Sequence, residues 1–161
     1  MDSRNADFYF KRGLAYSFSN DEEQAIADYD KVIELNPEHS SAYYNRGYSY
    51  QLSGNVDQAI ADYTRAIEIN PNNLDAYNNR GNLYKSSGNV EQAIVDYTQA
   101  IEIDPNYPFA YLNRGVSYAN AGEVELAIAD LERYLELDPN TQNREKVQEM
   151  LDKLKSQSAG E

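Results

Sequence analysis

Pro37, Pro71, Pro105 and Pro139 stand 34 residues apart, and the words around them return with the same period. Asn-Arg-Gly recurs at Asn45-Arg46-Gly47, Asn79-Arg80-Gly81 and Asn113-Arg114-Gly115, with Lys11-Arg12-Gly13 as an earlier variant. A unit this short cannot bury an apolar face alone, so its repetition constrains the chain to a stack in which each copy packs on its neighbours. The constraint also sorts residues. Positions that hold the stack must recur, while positions that meet a partner are free to differ.

Four units follow, at 6–39, 40–73, 74–107 and 108–141, and each reads as two helices. In the second, Tyr43, Gly47 and Tyr50 share one helical face, and Ala59, Ile60, Tyr63, Ala66 and Ile67 form a second stripe at helical spacing. Between the stripes sit Gly54, Gly88, Gly122 and, in the first unit, Asn20, residue types that tolerate the left-handed conformation ending a helix. Asn55…Gln58, Asn89…Gln92 and Asp21…Gln24 then resemble capping boxes. Each proline closes a second helix, because the residue before it disfavours the helical region. Gly47, Gly81 and Gly115 lie inside helices at a cost of about 1 kcal/mol against Ala. Close helix approach is the expected reason, with Ala59, Ala93 and Ala127 as the facing residues. Val147, Met150, Leu151 and Leu154 predict a closing amphipathic helix over 142–155, with Lys153 and Lys155 suited to its C-terminus. Residues 1–5 and 156–161 read as tails. The fold class is all-α.

Composition narrows function. A net charge of −13 opposes nucleic-acid binding, which rests on counterion release by Lys and Arg. No apolar run approaches the roughly 20 residues that span a membrane, so membrane insertion is not expected. The start, Met1-Asp2-Ser3-Arg4-Asn5, lacks the apolar stretch of a secretory leader. With no cysteine there is neither disulfide nor thiol chemistry, which fits the cytoplasm and equally a periplasm. Catalysis finds little to use. The one histidine, His39, sits beside a unit boundary and reads as a loop residue; no phosphate loop and no zinc motif appears. The conspicuous acids recur every 34 residues, and four equivalent catalytic sites would be strange. Neither a cofactor nor a metal is expected, and the chain reads as a non-enzyme.

The pattern Ala42-Tyr43…Gly47…Tyr50…Gly54…Ala59…Tyr63…Ala66…Pro71 resembles a tetratricopeptide repeat, and about residues 6–141 carry it. The resemblance implies a right-handed α-α superhelix, a solenoid of four repeats with a capping helix. There are departures. Tyr9, Tyr43, Tyr77 and Tyr111 stand where the family often has Trp, and Arg12, Arg46, Arg80 and Arg114 where it has a Leu-like residue. Asp28, Asp62, Asp96 and Asp130 recur with that arginine row, so a structural ladder of opposite charges is expected rather than a row of ligand hooks. Tyr134 replaces a small residue in the fourth unit, where packing is expected to differ.

In that family the first helices line a concave groove, with unit positions 2, 5, 6, 9, 12 and 13 pointing into it. Five of these vary here, as a binding surface or an unused one would. Position 6 is the exception: Lys11, Asn45, Asn79 and Asn113. An asparagine amide offers donor and acceptor to a peptide backbone, and the row resembles the asparagine ladder of O-linked N-acetylglucosamine transferases. Asn78 and Asn82 thicken it, with Lys85 and Ser86 alongside. Phe10, Leu14, Phe18, Tyr44, Tyr48 and Leu52 make an apolar patch near one end; Phe109, Leu112 and Val116 make another. The acidic-tail clamp of chaperone-binding members is absent, since position 5 reads Phe10, Tyr44, Asn78 and Leu112. A neutral, basic or apolar peptide or helix of a partner protein is therefore expected, on a monomer or weak homo-oligomer. A self-associating module and a targeting segment of a larger enzyme remain the alternatives.

Overall fold

The computed structural model describes residues 5–159, and among them form nine helices and no strand: α1 Ala6–Phe18, α2 Glu22–Leu35, α3 Ser40–Leu52, α4 Val56–Ile69, α5 Leu74–Ser86, α6 Val90–Ile103, α7 Pro108–Ala121, α8 Val124–Leu137 and α9 Arg144–Ser158. The residues that stop and start them are those the period singled out. Asn36, Asn70, Asp104 and Asp138, each before a proline, leave the helical region at ψ 90°, 90°, 99° and 73°. Within each pair the tight turn is left-handed, at Asn20 (φ 57°), Gly54 (77°), Gly88 (82°) and Gly122 (82°). There the N–H of the next residue returns to a carbonyl five residues back: Asn55 to Tyr50 at 2.8 Å and Asn89 to Tyr84 at 2.8 Å. This closure by backbone displaces the expected capping boxes. Only Asp21 accepts from its Gln24 N–H, at 3.3 Å; Asn55 and Asn89 make no side-chain cap. Side chains cap first helices instead, through Asn5, His39 and Asn73. His39 Nδ1 accepts the Ala42 N–H at 3.2 Å and its ring lies 4.9 Å from Phe10, so the lone histidine is a half-buried cap rather than a loop residue.

The chain divides into two compact units, one ending at Ala76 and one beginning at Tyr77. In the first, α1 packs on α2, α2 on α3 and α3 on α4; in the second, α6 packs on α7, α7 on α8 and α8 on α9. The recurring glycines explain how closely paired helices meet, though not through the expected alanines. A Cβ on Gly81 would stand 2.7 Å from Tyr97 Cε1, and one on Gly13 2.8 Å from Tyr29 Cε1. At Gly47 the neighbours are Tyr63 and Asp62, and at Gly115 they are Leu131 and Asp130. Each glycine is small to admit an aromatic or leucine side chain of the second helix. Ala59, Ala93 and Ala127 are fully buried but do not face the glycines. At the C-terminal end Tyr134 is buried with Val147, Leu151 and Leu154, so α9 covers what the larger ring adds. That helix runs three residues past the expected 155. Asn5 is a cap, and the rest of the expected tails, 1–4 and 160–161, lies outside the described residues.

Beside every glycine runs the ion pair. Arg12 donates to Asp28 through Nε and Nη2 at 2.7 and 2.6 Å; Arg46 does so to Asp62 at 2.7 and 2.7 Å. Arg80 grips Asp96 at 2.9 and 2.7 Å, and Arg114 grips Asp130 at 2.7 and 2.9 Å. The remaining nitrogen of the fork reaches the preceding pair of helices: Arg46 Nη1 donates to Asp30, and Arg114 Nη1 to Thr98 Oγ1 at 3.0 Å. Tyrosines one turn before and after flank the guanidinium, as Tyr111 and Tyr118 do Arg114, both at 5.8 Å. The arginine row is thus structural. Burial raises the Asp62 carboxyl above its ordinary pKa while the hydrogen bonds from Arg46 pull it down, so desolvation offsets much of what the pair gains. Breaking one partner is the costly change. Asp96→Ala, which strands an Arg80 side chain only 15% exposed, is expected to cost about 3 kcal/mol or more. The double change Arg80→Met with Asp96→Leu should cost clearly less, as read by urea unfolding. Equal losses would contradict this account of the ladder.

Candidate functional site

In the first unit the C-terminal ends of α1 and α3 enclose an open cleft of about 290 Å³. Its walls are Leu14, Phe18, Tyr48 and Leu52. Ser17, Asn20 and Asn45 add polar atoms at its edge. Phe18 is 86% exposed, Leu52 52% and Tyr48 40%. The fold does not require them, since the same registers in the third repeat hold Ser86 and Asn82. Clusters of large apolar side chains left in water are common at interaction sites, which makes this cleft the candidate. Of the residues the sequence singled out here, Leu14, Phe18, Asn45, Tyr48 and Leu52 line the cleft. The Asn45 amide N–H donates to the Ser41 carbonyl at 2.7 Å, leaving its Oδ1 for other donors. Lys11 is bound to Asp7 at 2.8 Å on the exposed side of α1. Tyr44 and Phe10 turn inward, their rings 5.8 Å from Tyr63 and 6.0 Å from Tyr29. Ser17 and Asn20 were not foreseen. Only Asn20's place in the turn hinted that it could reach the ends of both helices.

The second unit presents a different face. Lys85 donates to Asn113 Oδ1 at 3.3 Å, and Asn113 Nδ2 donates to Asn78 Oδ1 at 2.9 Å. Asn82 Oδ1 accepts from the Tyr97 hydroxyl at 2.8 Å, and Lys85 Nζ lies 5.9 Å from that ring. Asn78 is only 7% exposed. Burial lowers the Lys85 pKa. The polar residues expected to line a groove are therefore tied into a network, and Asn79 too is engaged within the chain. Leu112 and Val116 are half-buried against the core formed by α8 and α9. Tyr97 packs its ring on Gly81 and anchors Asn82 through its hydroxyl.

Comparing repeats at one register exposes an irregularity. The Tyr63 hydroxyl donates to Gln51 Oε1 at 2.8 Å, as Tyr97 does to Asn82. Tyr29 is the equivalent residue of the first repeat, yet its buried hydroxyl has no hydrogen-bond partner among the described residues. Nor has either buried carboxylate oxygen of Glu22. Burial, with a contribution from the Glu22 charge, pushes the Tyr29 hydroxyl up to about 12. Because the folded value lies above the ordinary value of 10.0, the neutral hydroxyl leaves stability unchanged below pH 10, and stability falls as pH rises from 10 toward 12, where the unfolded chain ionises first. Tyr97→Phe is expected to cost about 1 kcal/mol, since it deletes a made hydrogen bond. Tyr29→Phe should cost nothing measurable and should weaken the loss of stability above pH 10, both read by chemical unfolding across pH.

Comparison with known proteins places these features in context. The Tetratricopeptide repeat models match residues 6–39, 40–73 and 108–141, and another of that description matches 62–95. A TPR repeat model matches 81–122. No curated protein matches the chain. Among solved structures, the crystal structure of MamA is 29% identical with a TM-score of 0.82, over 86% of this chain and 81% of that one. MamA 41-end from Desulfovibrio magneticus RS-1, at 16% identity, shares the fold with a TM-score of 0.85 over 99% and 87%. The first TPR of Spaghetti (RPAP3), bound to HSP90 peptide SRMEEVD, is 29% identical with a TM-score of 0.68, over 76% of this chain and 94% of that one.

Proposed function

This chain belongs to the tetratricopeptide repeat family, and we propose that it is a non-enzymatic protein–protein interaction scaffold that holds an extended peptide or helix of a partner on its first-helix faces. The observation that carries this is the α1/α3 cleft, where Phe18, Tyr48 and Leu52 remain in water although the repeat does not need them there. Peptide binding by a 29% identical tetratricopeptide structure supports the same use here. The peptide named there contains two glutamates and a terminal aspartate. A chain of net charge −13 repels such a ligand at long range, so a neutral, basic or apolar segment is the better match. Within the cleft, Asn45 Oδ1 would accept a main-chain N–H, the role assigned to the asparagine row of O-linked N-acetylglucosamine transferases. Asn113, held at both ends of its amide by Asn78 and Lys85, would instead stiffen the second unit.

The same patch could join two copies, but each copy would bring its own net charge of −13. Phe18→Ser with Leu52→Ser touches only exposed positions and should leave the fold intact by circular dichroism. It is expected to weaken partner capture from a native lysate by about tenfold, roughly 1.4 kcal/mol. Undiminished capture would overturn the assignment. Sedimentation velocity across concentration separates a partner from self-association.

A further inference from the structure

We propose that the α1/α3 cleft receives a single Arg or Lys side chain of the partner, with Glu22 as its counter-ion. This rests on the reading of the cleft as a partner site and names the chemistry it selects. Glu22 breaks the repeat. The same register holds Val56, Val90 and Val124, so packing asks for a valine and the chain supplies a carboxylate. Both of its oxygens are buried and unpartnered among the described residues, as is the Tyr29 hydroxyl beside it. A buried carboxylate without a hydrogen bond carries a desolvation cost, which its place in the first turn of α2 offsets only in part.

The chain's own cations nearby are committed elsewhere. Lys11 is bound to Asp7, and Arg12 to Asp28. Glu22 follows cleft residue Asn20 by two positions, and the Tyr29 ring lies against Gly13, next to cleft residue Leu14. Neither Glu22 nor Tyr29 lines the cleft itself, but both are neighbours of residues that do. In the cleft, Leu14, Phe18 and Leu52 suit the aliphatic stem of a long basic side chain. The Phe18 and Tyr48 rings suit its charged head as it passes. Engagement requires the Glu22 side chain to turn toward the cleft, where it exchanges an unpaired burial for a charge-assisted hydrogen bond. A second copy is a poor occupant, given two like net charges of −13.

The test uses the full chain and capped peptides Gly-Ser-Leu-Xaa-Leu-Ser-Gly, with Xaa as Arg, citrulline, Lys or norleucine, titrated by fluorescence anisotropy. Arg should bind about tenfold tighter than citrulline, which keeps its shape without its charge, and Lys tighter than norleucine. In Glu22→Gln the ratio should fall toward one. Glu22→Val restores the repeat's own residue, so it should melt at the same temperature or higher while losing the preference. Equal binding of Arg and citrulline peptides to the wild type, or a preference surviving in Glu22→Val, overturns this inference and leaves the scaffold standing. If no peptide binds, the cleft is not a peptide site and both fall.

Discussion

Each helical hairpin is locked where an Arg-Gly pair on the first helix meets an Asp-Tyr or Asp-Leu pair on the second. The glycine lets the ring or leucine come within contact of the first helix's backbone. That approach brings the neighbouring arginine and aspartate into a two-pronged grip. Neither half works alone. A side chain on the glycine would push the second helix away and lengthen both hydrogen bonds, while an unpaired aspartate would be a buried charge. In Arg46 and Arg114 the same guanidinium also reaches the preceding hairpin, so one residue ties the hairpin together and sets its neighbour against it.

With each hairpin held at this lock and by its buried small residues, the other first-helix positions are free to differ between repeats. The two units use that freedom differently. The first keeps large apolar side chains in water around a cleft. The second ties its polar residues into a network of Lys85, Asn113 and Asn78, with Asn82 held by Tyr97. A network satisfied from within has little left to offer a ligand except rigidity. A wet apolar cleft has its association energy still to gain.

Much of the fold was legible because period and stop signals are local. Prolines, the turn glycines and the apolar stripes act over a few residues, and the helices begin and end where they direct. Several misread points were those where a partner lies farther along the chain. Ala59 was set opposite Gly47 because both are small, yet Tyr63 occupies that space. The asparagine row was read as free amides because spacing reveals direction and not engagement; Asn113 proved to be held by Asn78, 35 residues away. His39 read as a loop residue because capping depends on the angle at which the chain enters α3.

The sequence by itself determined the repeat, its helix pairs and the arginine–aspartate pairing. All three follow from residues recurring at a fixed interval, and recurrence survives without coordinates. Only the tertiary structure decided which of the variable positions stay available. Availability depends on whether another side chain has come within hydrogen-bonding or van der Waals distance, and that is settled by helix packing. So Phe18 and Leu52 stand in water while Asn78 is buried, and Glu22, one unremarkable acid among many in the sequence, turns out to be a carboxylate without a hydrogen-bond partner among the described residues.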